Sequence, residues 1–214
     1  MNLLIKNILN FNKIKIILPL FLSIFFFNNC LAKEKFVGFI ENLEGKVTKN
    51  LNGNLKRLNQ FDQIFVNDKI SLSQNSILNI SFIDNSILTL EENSEFLVKE
   101  FDNLSEEKKF IIDILKGKFT FESGSIAKTK NDAMKINLGE IEVILNGTLV
   151  TGENSSENRS ITLVEDSMGK IGSLKVIIGD QTTTITEPSS GLNISGGEIQ
   201  STTLSNEETN QIKK

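Results

Sequence analysis

Histidine is absent from this chain, as are tryptophan and tyrosine, and cysteine occurs once. Each absence removes a class of chemistry. Without histidine no side chain titrates unperturbed near neutral pH, which takes away the usual general base and the commonest metal ligand. Triads of the Ser-His-Asp or Cys-His kind are excluded with it. The lone cysteine, Cys30, cannot form an intrachain disulfide or build a Cys/His zinc site. No D-x-[DN]-x-[DN]-G loop occurs, so the usual calcium-binding loop is missing. Without Trp or Tyr there are none of the aromatic platforms on which sugar-cleaving clefts commonly rest. Any catalysis is left to carboxylates, lysines and hydroxyls. The site expectation is therefore empty: no catalytic residues, no cofactor, no metal.

What is present suits one domain with appendages. Hydrophobic residues make up 39% of 214 and charged residues 23%, with Phe supplying 15 positions for a core.

The first 32 residues read as a leader. Lys6, Lys13 and Lys15 precede an apolar run from Ile16 to Phe27, and the polar pair Asn28-Asn29 leads to Cys30-Leu31-Ala32. A basic region, a short apolar region and small residues at −3 and −1 form a secretory signal peptide, with cleavage expected after Ala32. The apolar run is short for a membrane span and contains Pro19. An uncleaved anchor and a lipidated Cys30 are the alternatives. Removing the leader and its three lysines lowers the formal charge from −4 to −7. A net acidic chain without a basic cluster is not a nucleic-acid binder, so none is expected as a partner.

From Phe36 to Gln200 the period is two. Leu78, Ile80 and Phe82 alternate with Asn79 and Ser81, Phe119 and Phe121 bracket Thr120, and Ile161 and Leu163 bracket Thr162. Ile141, Val143 and Leu145 run the same way, and Thr182 to Thr186 is β-branched throughout. This predicts half-buried strands. Gly45, Gly53, Gly117, Gly139, Gly147, Gly179 and Gly191 are expected to mark hairpin connections. The fold class is all-β: an antiparallel sandwich or an open, barrel-like stack of short hairpins. Leu104 to Lys109 reads either as a short helix capped by Ser105 or as a solvated loop. Residues 201–214 lack an apolar period and read as a disordered tail.

The polar cluster Asp84-Asn85-Ser86 interrupts two apolar runs and asks to be read as either chemistry or a corner. A two-residue loop would turn Leu88 and Leu90 away from the core. A three-residue loop, Ile83-Asp84-Asn85, pairs Ile80 with Leu88 and Leu78 with Leu90 on one face. That loop is a type I turn followed by a left-handed residue and a bulge, with Asn85 at the positive φ. Asp84 then accepts from nearby backbone N–H groups.

"SFIDNSILTL" resembles the F-x-D-G-S-x-L-x-L signature of the FecR-domain family. "EGKV" (Glu44 to Val47), "NDKI" (Asn67 to Ile70), "LKGKF" (Leu115 to Phe119) and "NGT" (Asn146 to Thr148) resemble further family steps, in the family's order. The resemblance covers residues 38–150, with an extra β segment over 151–200, inside an all-β domain of 33–200. Asn67 and Asn85 stand where the family has glycine, and Asn146 where it has arginine, so no role of that arginine carries over.

The family's namesakes are signal transducers with a cytoplasmic sigma-binding domain, a membrane helix and a periplasmic domain. With only about fifteen residues before the apolar run, the resemblance implies the exported module alone. The expected function is a non-enzymatic binding or structural module of the bacterial cell envelope. Its partner would be a protein or a polysaccharide, in the periplasm or at the cell surface, with no membrane span once the leader is removed. Two alternatives stay open. One is a membrane-anchored sensor that relays an external signal. The other is a polysaccharide hydrolase using paired carboxylates drawn from Glu91, Glu92 and Glu95.

Overall fold

The computed structural model describes residues 34–212, save 52, 167 and 197. The expected leader, its cleavage point and Cys30 lie outside the described residues. In chain order the strands begin with β1 (Phe36–Glu44), β2 (Val47–Leu51), β3 (Asn54–Arg57), β4 (Gln63–Phe65), β5 (Lys69–Leu72) and β6 (Ile77–Phe82). They continue with β7 (Ile87–Leu90), β8 (Glu95–Asp102), β9 (Lys109–Glu122), β10 (Met134–Leu138), β11 (Ile141–Asn146) and β12 (Leu149–Asn154). The last five are β13 (Asn158–Val164), β14 (Ser173–Ile178), β15 (Gln181–Ile185), β16 (Ser190–Ser195) and β17 (Glu198–Thr203). A helix, α1 (Asn206–Ile212), follows them.

The pairings resolve into two open sheets that share β9. Sheet A runs β4-β1-β6-β7-β9-β12-β13-β16-β17. Sheet B runs β3-β2-β5-β8-β9-β10-β11-β14-β15. All of these pairings are antiparallel except β9 with β10. The first half of β9, to Lys116, pairs with β8, and the second half, from Gly117, pairs with β12. Gly117 makes the crossing at φ 97, and a Cβ there would run into Ser94. After β9 the chain adds hairpins alternately: β10-β11 to sheet B, β12-β13 to A, β14-β15 to B and β16-β17 to A. Both sheets therefore grow toward the same end.

The apolar set read from the period of two is the core. Leu78, Ile80, Leu88, Leu90, Phe121, Val143, Leu145, Ile161 and Leu163 are all fully buried. Phe110 on sheet B ties the layers together. Its ring meets Phe82 at 4.8 Å, Phe101 at 4.8 Å and Phe121 at 6.0 Å, all edge to face. A buried ion pair lies near one margin. Lys49 Nζ sits 2.9 Å from each Asp68 carboxylate oxygen and 5.2 Å from the centre of the Phe65 ring. Asp68 also accepts from the Phe65 N–H at 2.9 Å.

Two expectations differ from what folds, at two glycines and in the tail, and the open reading of 104–109 resolves as a loop. Gly117 and Gly191 lie inside β9 and β16 rather than in connections; at Gly191 a Cβ would strike the backbone at Ile161 and the side chain of Thr162. Residues 104–109 hold no helix. Asp102, not Ser105, organises that turn by accepting the N–H of Leu104 at 3.0 Å and of Ser105 at 3.2 Å. The tail over 201–214 is ordered through Ile212: β17 extends to Thr203, and α1 starts at a capping box. Ser205 Oγ accepts the Glu208 N–H at 3.3 Å while the Glu208 carboxylate accepts the Ser205 N–H at 2.9 Å.

Candidate functional site

The Asp84-Asn85-Ser86 cluster is a corner. The register is Leu78 with Leu90 and Ile80 with Leu88, and Asn85 has φ 66. Asp84 and Ser86 are buried. Asp84 Oδ1 accepts the Ser86 N–H at 3.1 Å, and Oδ2 accepts the Ser86 hydroxyl at 2.9 Å. The reach of the corner was not foreseen from sequence. Ser86 Oγ also accepts the Gly124 N–H at 2.9 Å, and the Asp84 carbonyl accepts the Ser125 N–H at 2.8 Å. The cluster thus fastens the segment after β9, with the Asp84 carboxylate and Ser86 hydroxyl closed to solvent and Asn85 exposed.

The three carboxylates of the hydrolase alternative diverge. Glu95 lies on the outer face of sheet B, 2.6 Å from Lys69 Nζ and within 3.3 Å of the Ser71 hydroxyl. Glu92 accepts the Asn75 N–H. Glu91 alone lines a groove on the opposite sheet. No two of them face a common cleft. Among the described residues no group of three acids, Cys or His is placed to hold a metal ion.

That groove, of about 690 Å³, lies between the outer face of sheet A and α1, with Glu208 and Ile212 on the helix side. Its floor is a cross-strand row: Asn79 opposite Thr89, Thr89 opposite Thr120, Thr120 opposite Thr151, and Thr151 opposite Thr162. Asn79, Thr120 and Thr162, which alternate with apolar neighbours in the sequence, meet Thr89 in this row. Ser81 lies beside it and donates to Glu41 instead. Thr151 was missed, because only its neighbour across β9 shows what the side chain joins. Within the row the buried Oδ1 of Asn79 has no partner. The outer face of sheet B differs in kind: Lys69–Glu95, Lys99–Asp113 and Lys135–Glu142 pair their charges across it.

Two groups have displaced pKa values. Backbone N–H donors from Leu104 and Ser105 hold the Asp102 carboxyl down at about 2, with Lys35 adding to the effect. The Ser205 hydroxyl and N–H lower Glu208 below the usual carboxylate range. Both serve turns rather than a reacting centre.

β15 is the margin of sheet B. It pairs only with β14 among the described residues, and Gln181 to Thr184 are exposed. Asn146, at the end of β11, donates to the Ser173 hydroxyl at 3.4 Å.

This arrangement of two open, hairpin-built sheets has relatives. Residues 68–169 match the family model described as FecR protein, so the chain carries a FecR domain over β5 to β13. The match starts and ends later than the 38–150 span read from motifs. A crystal structure from Parabacteroides distasonis, provisionally described as an anti-sigma factor, is similar with a TM-score of 0.51 at 11% identity. The similarity covers 63% of this chain and 59% of that one, and at this identity it speaks for the fold alone. A second crystal structure of the same description gives a TM-score of 0.49 at 11% identity, with the same coverage. No curated protein matches the chain. Among the described residues no helix is long and apolar enough to cross a membrane.

Proposed function

We propose that this chain is an exported, non-enzymatic FecR-like module of the bacterial cell envelope that works by binding a protein or polysaccharide partner. The observation that carries this reading is the contrast between the chain's surfaces. Glu91, Glu92 and Glu95 are separated, while sheet A offers a row of hydroxyls and amides bordered by Glu91, Glu153, Glu208 and Lys118, and β15 at the margin of sheet B pairs only with β14 among the described residues. A row of uncharged, half-buried hydrogen-bonding groups suits recognition more than proton transfer. Export rests on the leader-like sequence from Met1 to Ala32.

A second reading, a membrane-anchored sensor, draws on the description of the Parabacteroides structure as an anti-sigma factor. The two separate at the N-terminus. Intact mass of the native protein from the envelope fraction is expected to give a chain starting at Lys33. A chain that keeps Met1 to Ala32 favours the anchored sensor. Turnover of an envelope polysaccharide that is lost in Glu91→Gln would overturn the non-enzymatic reading.

A further inference from the structure

We infer that β15 is a docking strand, taking up an extended segment of a partner protein whose centre is uncharged and whose two ends are basic. This rests on the reading of the chain as a binding module and names the surface and the partner's chemistry.

The backbone alternation sets which groups are on offer. Ile178 pairs with Gln181 across the two-residue loop Gly179-Asp180, with Gly179 at φ 55. The pair flanking such a loop exchanges both hydrogen bonds, and bonded and non-bonded pairs then alternate. Thr183 and Ile185 therefore bond to β14, while Thr182 and Thr184 point their N–H and C=O groups away from the sheet. An extended chain laid alongside completes them.

The other margins are guarded. β3 carries exposed Lys56 and Arg57, β4 has three residues, and β17 opens with Glu198. β15 holds no charge at all. The order of assembly points to the same place. Hairpins join sheets B, A, B and A in turn after β9, so the next strand of the stack belongs on sheet B, against β15.

Charge decides the occupant. Exposed Asp180 and Glu187 stand at the two ends of the strand, and the nearest base, Lys175, is one strand further in, opposite Thr184. A second copy paired about a two-fold axis would set Thr182 against the other Thr184. That register sets Asp180 opposite Thr186, one position from Glu187 of the other copy, at both ends, and like charges gathered there disfavour pairing. A foreign strand with Lys or Arg at its ends meets opposite charge at both.

The test uses the exported chain and two synthetic peptides with one Thr/Val centre, ended by Lys in one and by Glu in the other, read by fluorescence anisotropy at low salt. The Lys-ended peptide is expected to bind about tenfold more tightly, as two exposed ion pairs allow. Thr184→Pro, which removes an outward N–H and is tolerated at edges, is expected to keep the fold and lose this binding. The double variant Asp180→Lys, Glu187→Lys, which leaves the backbone untouched, is expected to reverse the preference. Unfolding of Thr184→Pro, undiminished binding by it, or an unchanged preference in the charge-reversed chain would each overturn the proposal. So would a dimer of this chain that dissociates in Thr184→Pro. If neither peptide binds, the docking strand falls, while a partner cross-linked elsewhere on the native protein leaves the wider binding reading standing.

Discussion

Ser86 donates its hydroxyl hydrogen to the Asp84 carboxylate at 2.9 Å, with both side chains buried under the segment that follows β9. The same hydroxyl accepts from Gly124, so one oxygen joins a hairpin corner to a chain segment 38 positions away. Ser86→Ala strands the Gly124 N–H and part of the Asp84 carboxylate and is expected to cost about 1–3 kcal/mol by urea denaturation. At Asn85, with φ 66, Gly is expected to be neutral or slightly stabilising. Val there should cost about 1–2 kcal/mol, because a β-branched side chain resists the left-handed region. Equal melting temperatures for the Gly and Val variants would contradict the turn geometry.

The Lys49–Asp68 pair is a second point of stress. Both side chains are nearly excluded from solvent, at 7% and 8% exposure, so removing one charge leaves the other buried alone. Lys49→Met is expected to destabilise the domain by about 3–5 kcal/mol, and adding Asp68→Asn should recover part of the loss. A loss below about 1 kcal/mol, as for an exposed pair, would show that water reaches the site.

Asp102 makes the turn between β8 and β9 sensitive to acid. Its carboxyl is depressed from 3.8 to about 2 by the N–H groups of Leu104 and Ser105, then by Lys35. A depressed acid stabilises above its unfolded value, so its contribution is full above pH 3.8 and is lost as pH falls toward 2. Titration of the Asp102 carboxyl carbon by NMR should give a midpoint near 2, with amide exchange at Leu104 and Ser105 rising over the same window. Asp102→Asn should remove that pH dependence.

The capping box of α1 stabilises the helix locally. Ser205→Ala is expected to weaken it by about 1 kcal/mol, read as faster amide exchange over 206–212. Since α1 buries no residue, the melting temperature of the domain should stay the same. A global loss of stability would mean that the helix supports sheet A.

Local chemistry was legible in the sequence; long-range pairing was not. The register of β6 with β7 and the positive φ of Asn85 follow from a period of two and from turn residues. The double role of β9 does not, because Gly117 inside a strand reads like a connection until Ser94 is seen beneath it. The partnership of Lys49 with Asp68 spans 19 positions and leaves no mark on either neighbourhood. The Thr row needed sheet order, which places Thr151 against Thr120. The ordered tail carried one readable sign, the S-x-x-E of Ser205 and Glu208. With no apolar face behind it, that sign lacked the period that announces a helix.

The proposed binding through open surfaces can be read out residue by residue. Photo-crosslinking residues are placed singly at Thr184, at Lys118 in the sheet A groove and at Lys99 on the ion-paired face of sheet B, in the native protein within intact cells. The expected result is a discrete adduct from Thr184, an adduct from Lys118 only if the groove is also occupied, and none from Lys99. Absence of any adduct from both Thr184 and Lys118 in the folded native protein would contradict binding through these surfaces.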